Sequence, residues 1–480
     1  MRLKKYLGIL LSGIMVLSMA ACAGTDKGQT AAPESGQTEA AKQQTKQEQT
    51  KAEAGNGDIT KVTMWSNDQH DQAVYEERIK EFNETIGKEK GISVEYTVYG
   101  SDYYTTLDVA VTAGEGPDIF KCNKIGNYAE AGYIMPWEDE AGLKGLVDRF
   151  AEYNAPGYGE FGQKTYSIPF RVTTYGIACN MDIFNKYGLK TPETWDEMRA
   201  CAKAITEGSK EQAYGYALAM GYGSYNYFYL NLPNAASVGD EYFNHTTGRY
   251  DFESLGGFFG HLQGIIDDKS MFPGFETMDG DTARAQFSAG NVGMIGVMSS
   301  DVTTFKNQFP CDFEWEVIPY PVQDASNRYK EPIGVSMYVI NSKASKGGYA
   351  DKVAEFMNYL YSDEVFVATN EAQVDISVLG DEITSKSKVD GLDPNWIRFS
   401  DMDVYCIKYP NPDGDLSIEG DSYQDVYNKI LTGIVTDVDG ALKDLTERYN
   451  KALDEAVASG KVNINDYIDP NIAEKMKWGK

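Results

Sequence analysis

Hydrophobic positions alternate, then fall into helical spacing, then alternate again through the first part of the folded chain. Ile59 to Trp65 reads as a strand with Val62 and Met64 on one face, and Asp71 then opens a helix carrying Val74, Ile79 and Phe82. Ile92, Val94, Tyr96 and Val98 alternate once more. A second helix from Tyr103 bears Leu107, Ala110 and Val111, stops at Gly114-Glu115-Gly116-Pro117 and gives way to a short strand, Asp118-Ile119-Phe120. This βαβαβ order predicts an open parallel sheet whose ligands lie beyond the carboxyl ends of its strands. Those ends are Ser66 to Gln69 and Lys121 to Lys124, polar where the strands are not.

Further along, Tyr166 to Arg171 and Tyr175 to Asn180 read as two extended pieces separated by Val172-Thr173-Thr174. Thr194 and Glu197 have capping-box spacing at the start of a helix through Met198, Cys201 and Ile205, with Trp195 expected to pack in its first turn. Near the C-terminus, Leu442, Leu445, Tyr449, Leu453 and Ala456 form one helical stripe, and Gly460 follows as its stop.

Composition narrows the function. The 480 residues carry 44 Lys and Arg against 72 Asp and Glu, a formal charge of −28, so binding to a phosphate backbone has no electrostatic footing and no nucleic-acid partner is expected. Arg2, Lys4 and Lys5 precede the apolar run Tyr6 to Met19, as in an export signal. Leu17 to Cys22 resembles a bacterial lipobox, whose cysteine receives a diacylglyceryl group and becomes the mature N-terminus. Residues 1–21 are therefore read as signal peptide and residues 22–58 as lipidated cysteine and disordered linker. From Thr25 to Asp58 there is no aromatic or large aliphatic side chain to offset ordering entropy.

Beyond Cys22, Cys122, Cys179, Cys201, Cys311 and Cys406 are scattered without a CxxC pair, so no disulfide framework is implied, and Cys122 and Cys179 are expected to be buried thiols. The three histidines, His70, His245 and His261, have no metal-binding spacing, and no metal or cofactor is expected. Asp413-Gly414-Asp415, with Glu419 and Asp421, could attract calcium but lacks the EF-hand glycine and terminal glutamate, and reads better as a solvated acidic turn.

The chain resembles the extracellular solute-binding lipoproteins of bacterial ABC importers, in the carbohydrate-binding family that includes maltose-binding protein. The resemblance rests on Val62 to Trp65, Gly114 to Ile119, Tyr166 to Phe170, Tyr175 to Phe184, Thr191 to Met198, Phe287 to Met294, Ile333 to Ser336, and Phe356-Met357 leading to Ser362-Asp363-Glu364. It implies an α/β fold of two lobes, each an open sheet flanked by helices, joined by three hinge crossings near Val172 to Thr174, Ile318 to Pro321 and Asp375 to Val378. Lobe one would comprise residues 59–173 and 320–376, and lobe two residues 174–319 and 377–480. The implied function is capture of a sugar, an oligosaccharide above all, and its delivery to ABC permease subunits. The protein would be a monomer lipid-anchored on the outer face of the bacterial membrane, with no covalent chemistry.

Sugar hydroxyls require amides, carboxylates and Arg, and sugar CH faces require rings. The resemblance places Asn67, Asp68 and Gln69 after the first strand, Asn123 and Lys124 after the third, and Arg171 at the first crossing. Tyr222, Tyr225 and Tyr227 lie in a glycine-spaced aromatic stretch. Relatives carry a stacking Trp where this chain has Ser300 and Asp301; these two are expected to contact the ligand, and Trp396 is the expected substitute ring. A secreted glycoside hydrolase-like lipoprotein, working through a carboxylate pair, would share the export signal, acidity and tyrosine content. An adhesion lipoprotein would show repeats, and none are visible.

Overall fold

The structure is a computed structural model that describes residues 59–100, 102–154, 159–221 and 227–479, with the side chains of Tyr227 and Phe228 outside the description. Two sheets organise it. The first begins with β1 (Thr60–Ser66), helix α1 (Gln72–Glu84), β2 (Ile92–Val98), α2 (Tyr103–Thr112) and β3 (Ile119–Lys121), followed by the short α3 (Ile125–Glu130). β1 pairs in parallel with both β2 and β3. The period-two pattern puts Val62, Met64 and Ile119 into one core, while Phe120 faces a second core with Tyr103, Leu107 and Ile125.

A tight hairpin, β4 (Glu160–Phe161) and β5 (Lys164–Thr165), precedes the first crossing. Gly162 and Gln163 at its tip both have positive φ, 57° and 61°, the requirement of a type I′ turn. β6 (Pro169–Thr173) belongs to the first sheet and β7 (Tyr175–Asn180) to the second, with Thr174 alone between them.

The second sheet has the order β12-β7-β11-β8, from α4 (Trp195–Ser209), β8 (Tyr214–Ala217), β9 (Phe243–Asn244), β10 (Arg249–Tyr250), α5 (Gly256–Asp267), β11 (Val292–Met298) and β12 (Trp315–Ile318), with β9 and β10 pairing apart as a ribbon. Along β7, Tyr175, Ile177 and Cys179 face one core and Ala178 the other. Gly176 is required there, because a Cβ would stand 2.6 Å from the Ile318 carbonyl oxygen. The capping box of Thr194 and Glu197 is formed at α4, and Trp195 is buried against Phe258 of α5.

The chain returns through β13 (Glu331–Ile340), which pairs antiparallel with β3 at Tyr338–Ile340 and with β6 at Gly334–Met337. It continues through α6 (Asp363–Glu371), α7 (Pro394–Phe399), β14 (Tyr405–Ile407), α8 (Tyr423–Leu431) and α9 (Val438–Ala458). β14 runs parallel to β13 at Glu331–Ile333 and so ends the first sheet. The stripe Leu442, Leu445, Tyr449, Leu453 and Ala456 on α9 packs into the core of the second sheet. Cys122 and Cys179 are buried free thiols.

Candidate functional site

The carboxyl ends of β1 and β3 meet β6 and β13 at a cluster of charged side chains. Arg171, 5% exposed, projects from β6 and contacts Asp68, Asp71 and Asp375, donating to Asp375 at 2.7 Å. Lys121 donates to the other oxygen of Asp68 at 2.7 Å, and the Tyr75 hydroxyl donates to Asp375 at 2.8 Å. His70 Nε2 lies 3.3 Å from both Asp375 Oδ1 and Arg171 Nη1. Asp71 stands at the N-cap of α1 but makes no cap with its side chain, which turns to Arg171 instead.

Electrostatics separates the three carboxylates. Burial alone would raise Asp68, but Arg171 and Lys121 hold it well below the usual carboxylate range. Asp375 is also buried, and Arg171 and the His70 hydrogen bond hold it low. Asp71 is raised, first by burial and then by Asp375, because one guanidinium does not offset three carboxylates packed around it. Burial would lower the imidazole of His70, but the hydrogen bond to Asp375 raises it above its ordinary value. His70, Asp71 and Asp375 bring ligand atoms within 4.8 Å of one another, yet Arg171 Nη1 contacts all three, so a metal cation there would sit against a guanidinium.

Beside this cluster opens a cavity of about 700 Å³, inside the range of small-molecule sites. One wall comes from the first sheet's side: Tyr104, the segment after β3, and Phe161 and Tyr166 of the hairpin region. The opposite wall is Asn411, Gly414, Asp415 and the stretch Lys461 to Tyr467, which pack on the core of the second sheet. Val335 to Met337 of β13 form the back. Phe161 reaches the cavity across Gly126, where a Cβ would clash with its ring at 2.7 Å. The cationic side chains on these walls are held by acceptors: Lys124 by Asp108 at 2.6 Å, Lys121 by Asp68, and Lys461 by the Asp415 carbonyl at 2.6 Å. Rings interleaved with amides and carboxylates suit a neutral polyol better than an ion.

Of the residues expected from the sequence, Asp68 and Arg171 come together in the cluster, and Asn67, next to Asp68 in sequence, has a buried Oδ1 without a hydrogen-bond partner among the described residues. Gln69 is exposed at the same strand end, and Asn123 and Lys124 line the cavity. Tyr222 and Tyr225 lie outside the described residues, as does the side chain of Tyr227.

Two expectations are corrected. Asp301 is 1% exposed because its carboxylate accepts from Arg284 Nε at 2.6 Å and from the Met298 amide at 2.9 Å, so it closes the turn after β11 beside a partly exposed Ser300. Trp396 is also 1% exposed, with its indole N–H donating to Asn370 at 3.0 Å. It is a core ring of α7, not a stacking platform. The walls built by Phe161, Tyr166, Asn411 and Tyr467 were not anticipated. Pro-Asn-Pro-Asp-Gly at 410–414 marks a turn, and only folding shows that the turn faces a cavity.

The family described as bacterial extracellular solute-binding protein matches residues 66–365, well over half of the chain. The chain belongs to this family. It is a family of binding proteins rather than enzymes, and this solute-binding protein has the two-lobed fold of its structural neighbours. The GacH receptor of Streptomyces glaucescens, solved unliganded and with acarbose, superposes with a TM-score of 0.64 at 18% identity, covering 83% of this chain and 99% of that one. Among curated proteins, the multiple sugar-binding protein of Streptococcus mutans is 31% identical over 136 residues, 27% of this chain and 31% of that protein. The maltotriose-binding protein of Pyrococcus abyssi is 29% identical over 168 residues, 35% of this chain and 34% of that protein. The chain thus aligns with about a third of the length of these two relatives.

Proposed function

We propose that this solute-binding protein captures an oligosaccharide between its lobes and delivers it to the permease of an ABC importer. The observation that carries the reading is the cavity of about 700 Å³, whose facing walls combine half-buried rings with amides and carboxylates and, among the described residues, pair each lysine with an acceptor. The sugar ligands named for its relatives agree with that chemistry. Lobe one is residues 59–173 and 320–376, and lobe two residues 174–319 and 377–480. In support, β6 and β7 lie in different sheets on either side of Thr174.

Binding needs no covalent step. The ligand favours the closed arrangement of the lobes, and that arrangement is what the permease reads. Thermal melting against a panel of maltotriose, raffinose and acarbose tests the reading. A cognate sugar at 100 times its dissociation constant stabilises the folded chain by about 2.7 kcal/mol, and small-angle scattering shows compaction. If no sugar shifts the melting temperature, or if reducing ends are released from maltotriose, the reading falls.

The protein acts on the outer face of the membrane as a monomer, anchored through a lipid on Cys22. Cys22 lies outside the described residues, and the support is the basic start, the apolar run and the lipobox of the sequence. Cys22→Ala releases the protein into the medium on this view; continued full membrane attachment would refute it.

A further inference from the structure

The cavity wall at 411–415 belongs to a segment that is neither helix nor strand apart from one turn, Asp413–Asp415. What fixes it is unusual for a surface turn. The hydroxyl of Tyr242 donates to Asp413 Oδ2 and that of Tyr250 to Asp413 Oδ1, each at 2.5 Å. Both tyrosines are almost fully buried, and their rings lie in one stack with Phe252: Tyr242 and Phe252 are 4.9 Å apart at 11°, and Tyr250 and Phe252 are 6.0 Å apart at 7°. The β9–β10 ribbon sets that stack, and Tyr449 of α9 closes it at 5.1 Å from Tyr250. The two hydroxyls therefore come from a rigid element and converge on one carboxylate.

Consequences run into the wall itself. Asn411 Nδ2 donates to the same Tyr242 oxygen at 3.2 Å, and the Asp413 amide donates back to Asn411 Oδ1 at 3.2 Å. The amides of Asp415 and Leu416 are held by the Pro412 and Asp413 carbonyls at 2.9 and 3.2 Å. Asp413 is thus the peg, while Asn411, Gly414 and Asp415 face the cavity.

We propose that Asp413 is a positioning residue: clamped by the Tyr242 and Tyr250 hydroxyls, it holds the 411–415 wall in the shape that binds sugar, without touching the sugar. The inference rests on the binding reading above for its effect on affinity, and on geometry alone for its effect on the wall. Asp413→Ala and the double variant Tyr242→Phe with Tyr250→Phe remove the clamp in different ways. Asp413→Asn keeps it, since an amide can accept from one hydroxyl and donate to the other.

Amide hydrogen exchange and maltotriose titration of the full chain separate the outcomes. With the clamp removed, exchange at Asp413, Asp415 and Leu416 accelerates at least roughly tenfold while the β11 amides are unchanged, and maltotriose binds about tenfold to a hundredfold more weakly, the range for losing hydrogen bonds to a charged group. Asp413→Asn restores both towards wild type. Unchanged exchange at these three amides overturns the clamp. So does equal acceleration in β11, which would mean general destabilisation, or undiminished maltotriose affinity in variants whose wall has loosened. If wild type binds no maltotriose, the binding reading fails in that arm, and the exchange arm still decides whether Asp413 holds the wall.

Discussion

Arg171 on β6 donates to Asp375 at 2.7 Å, and directly beyond this pair the Val172 amide donates to the Ile376 carbonyl at 2.8 Å. Two segments 204 positions apart in sequence are thereby locked to each other by one charged and one backbone contact. β13 joins them through its antiparallel register with β6, Val335 opposite Val172. β6 is thus flanked by β13 on one side and by the Ile376 bridge on the other, with the charged cluster at the edge.

Removing the cation tests how much the fold depends on it. Arg171→Ala leaves Asp68, Asp71 and Asp375 facing one another in a buried site, and breaking a buried charge network from one side costs about 3 to 5 kcal/mol. Urea unfolding of the unliganded variant measures this. A loss below about 1 kcal/mol, within the range of an exposed pair, would show that water reaches the cluster and screens it.

The same cluster predicts a pH dependence with a definite sign. Asp71 and His70 both bind protons more tightly folded than unfolded, Asp71 through burial and Asp375, His70 through its hydrogen bond to Asp375. Their contribution is therefore complete at low pH and is lost as pH rises, from above the ordinary carboxylate value of 3.8 for Asp71 and from above 6.5 for His70. Asp68 and Asp375, held low by Arg171, act oppositely and lose their contribution only as pH falls below 3.8. Between pH 5 and 8 the melting temperature of Asp71→Asn should decline less steeply than that of wild type. Parallel profiles would place the proton elsewhere.

How much of this was legible in the sequence depends on the range of the interaction. Strands and helices set by local period, such as Ile92 to Val98 or the stripe on α9, fall where the alternation puts them. The cap of Thr194 and Glu197 is a three-residue interaction and reads directly. Asp71 shows the limit: its position is that of a helix cap, but a guanidinium 100 positions away in sequence claims the side chain. Trp396 shows another limit. A Trp in a polar Asp-Pro-Asn context looks like a surface ring, and its burial depends on Asn370, a partner 26 positions distant.

Trp396 therefore gives a direct contrast. Truncation of a fully buried large aromatic costs about 3 to 5 kcal/mol, so Trp396→Ala should melt far below wild type. Its sugar affinity, measured at a temperature where the variant is folded, should stay within about threefold of wild type, less than the tenfold that 1.4 kcal/mol represents. Normal melting with lost binding would return the ring to the cleft.

The rings that do face the cavity should behave in the reverse sense. Phe161 at the hairpin and Tyr467 on the far wall are each partly exposed, and each borders the same cavity of about 700 Å³ from a different wall. A solute closed between them covers ring surface that is wet in the open protein, and loss of a central aromatic contact in a binding site costs about 2 kcal/mol, roughly thirtyfold in affinity. Phe161→Ala and Tyr467→Ala should each weaken binding of maltotriose, or of whichever sugar in the panel binds best, by that order, with unliganded melting within a few degrees of wild type. Because the rings stand on opposite walls of the cavity, each should also reduce the compaction seen by small-angle scattering at a fixed subsaturating sugar concentration. If Phe161→Ala weakens binding and Tyr467→Ala does not, the sugar rests on the Phe161 wall alone, and closure over it does not use the 461–467 wall.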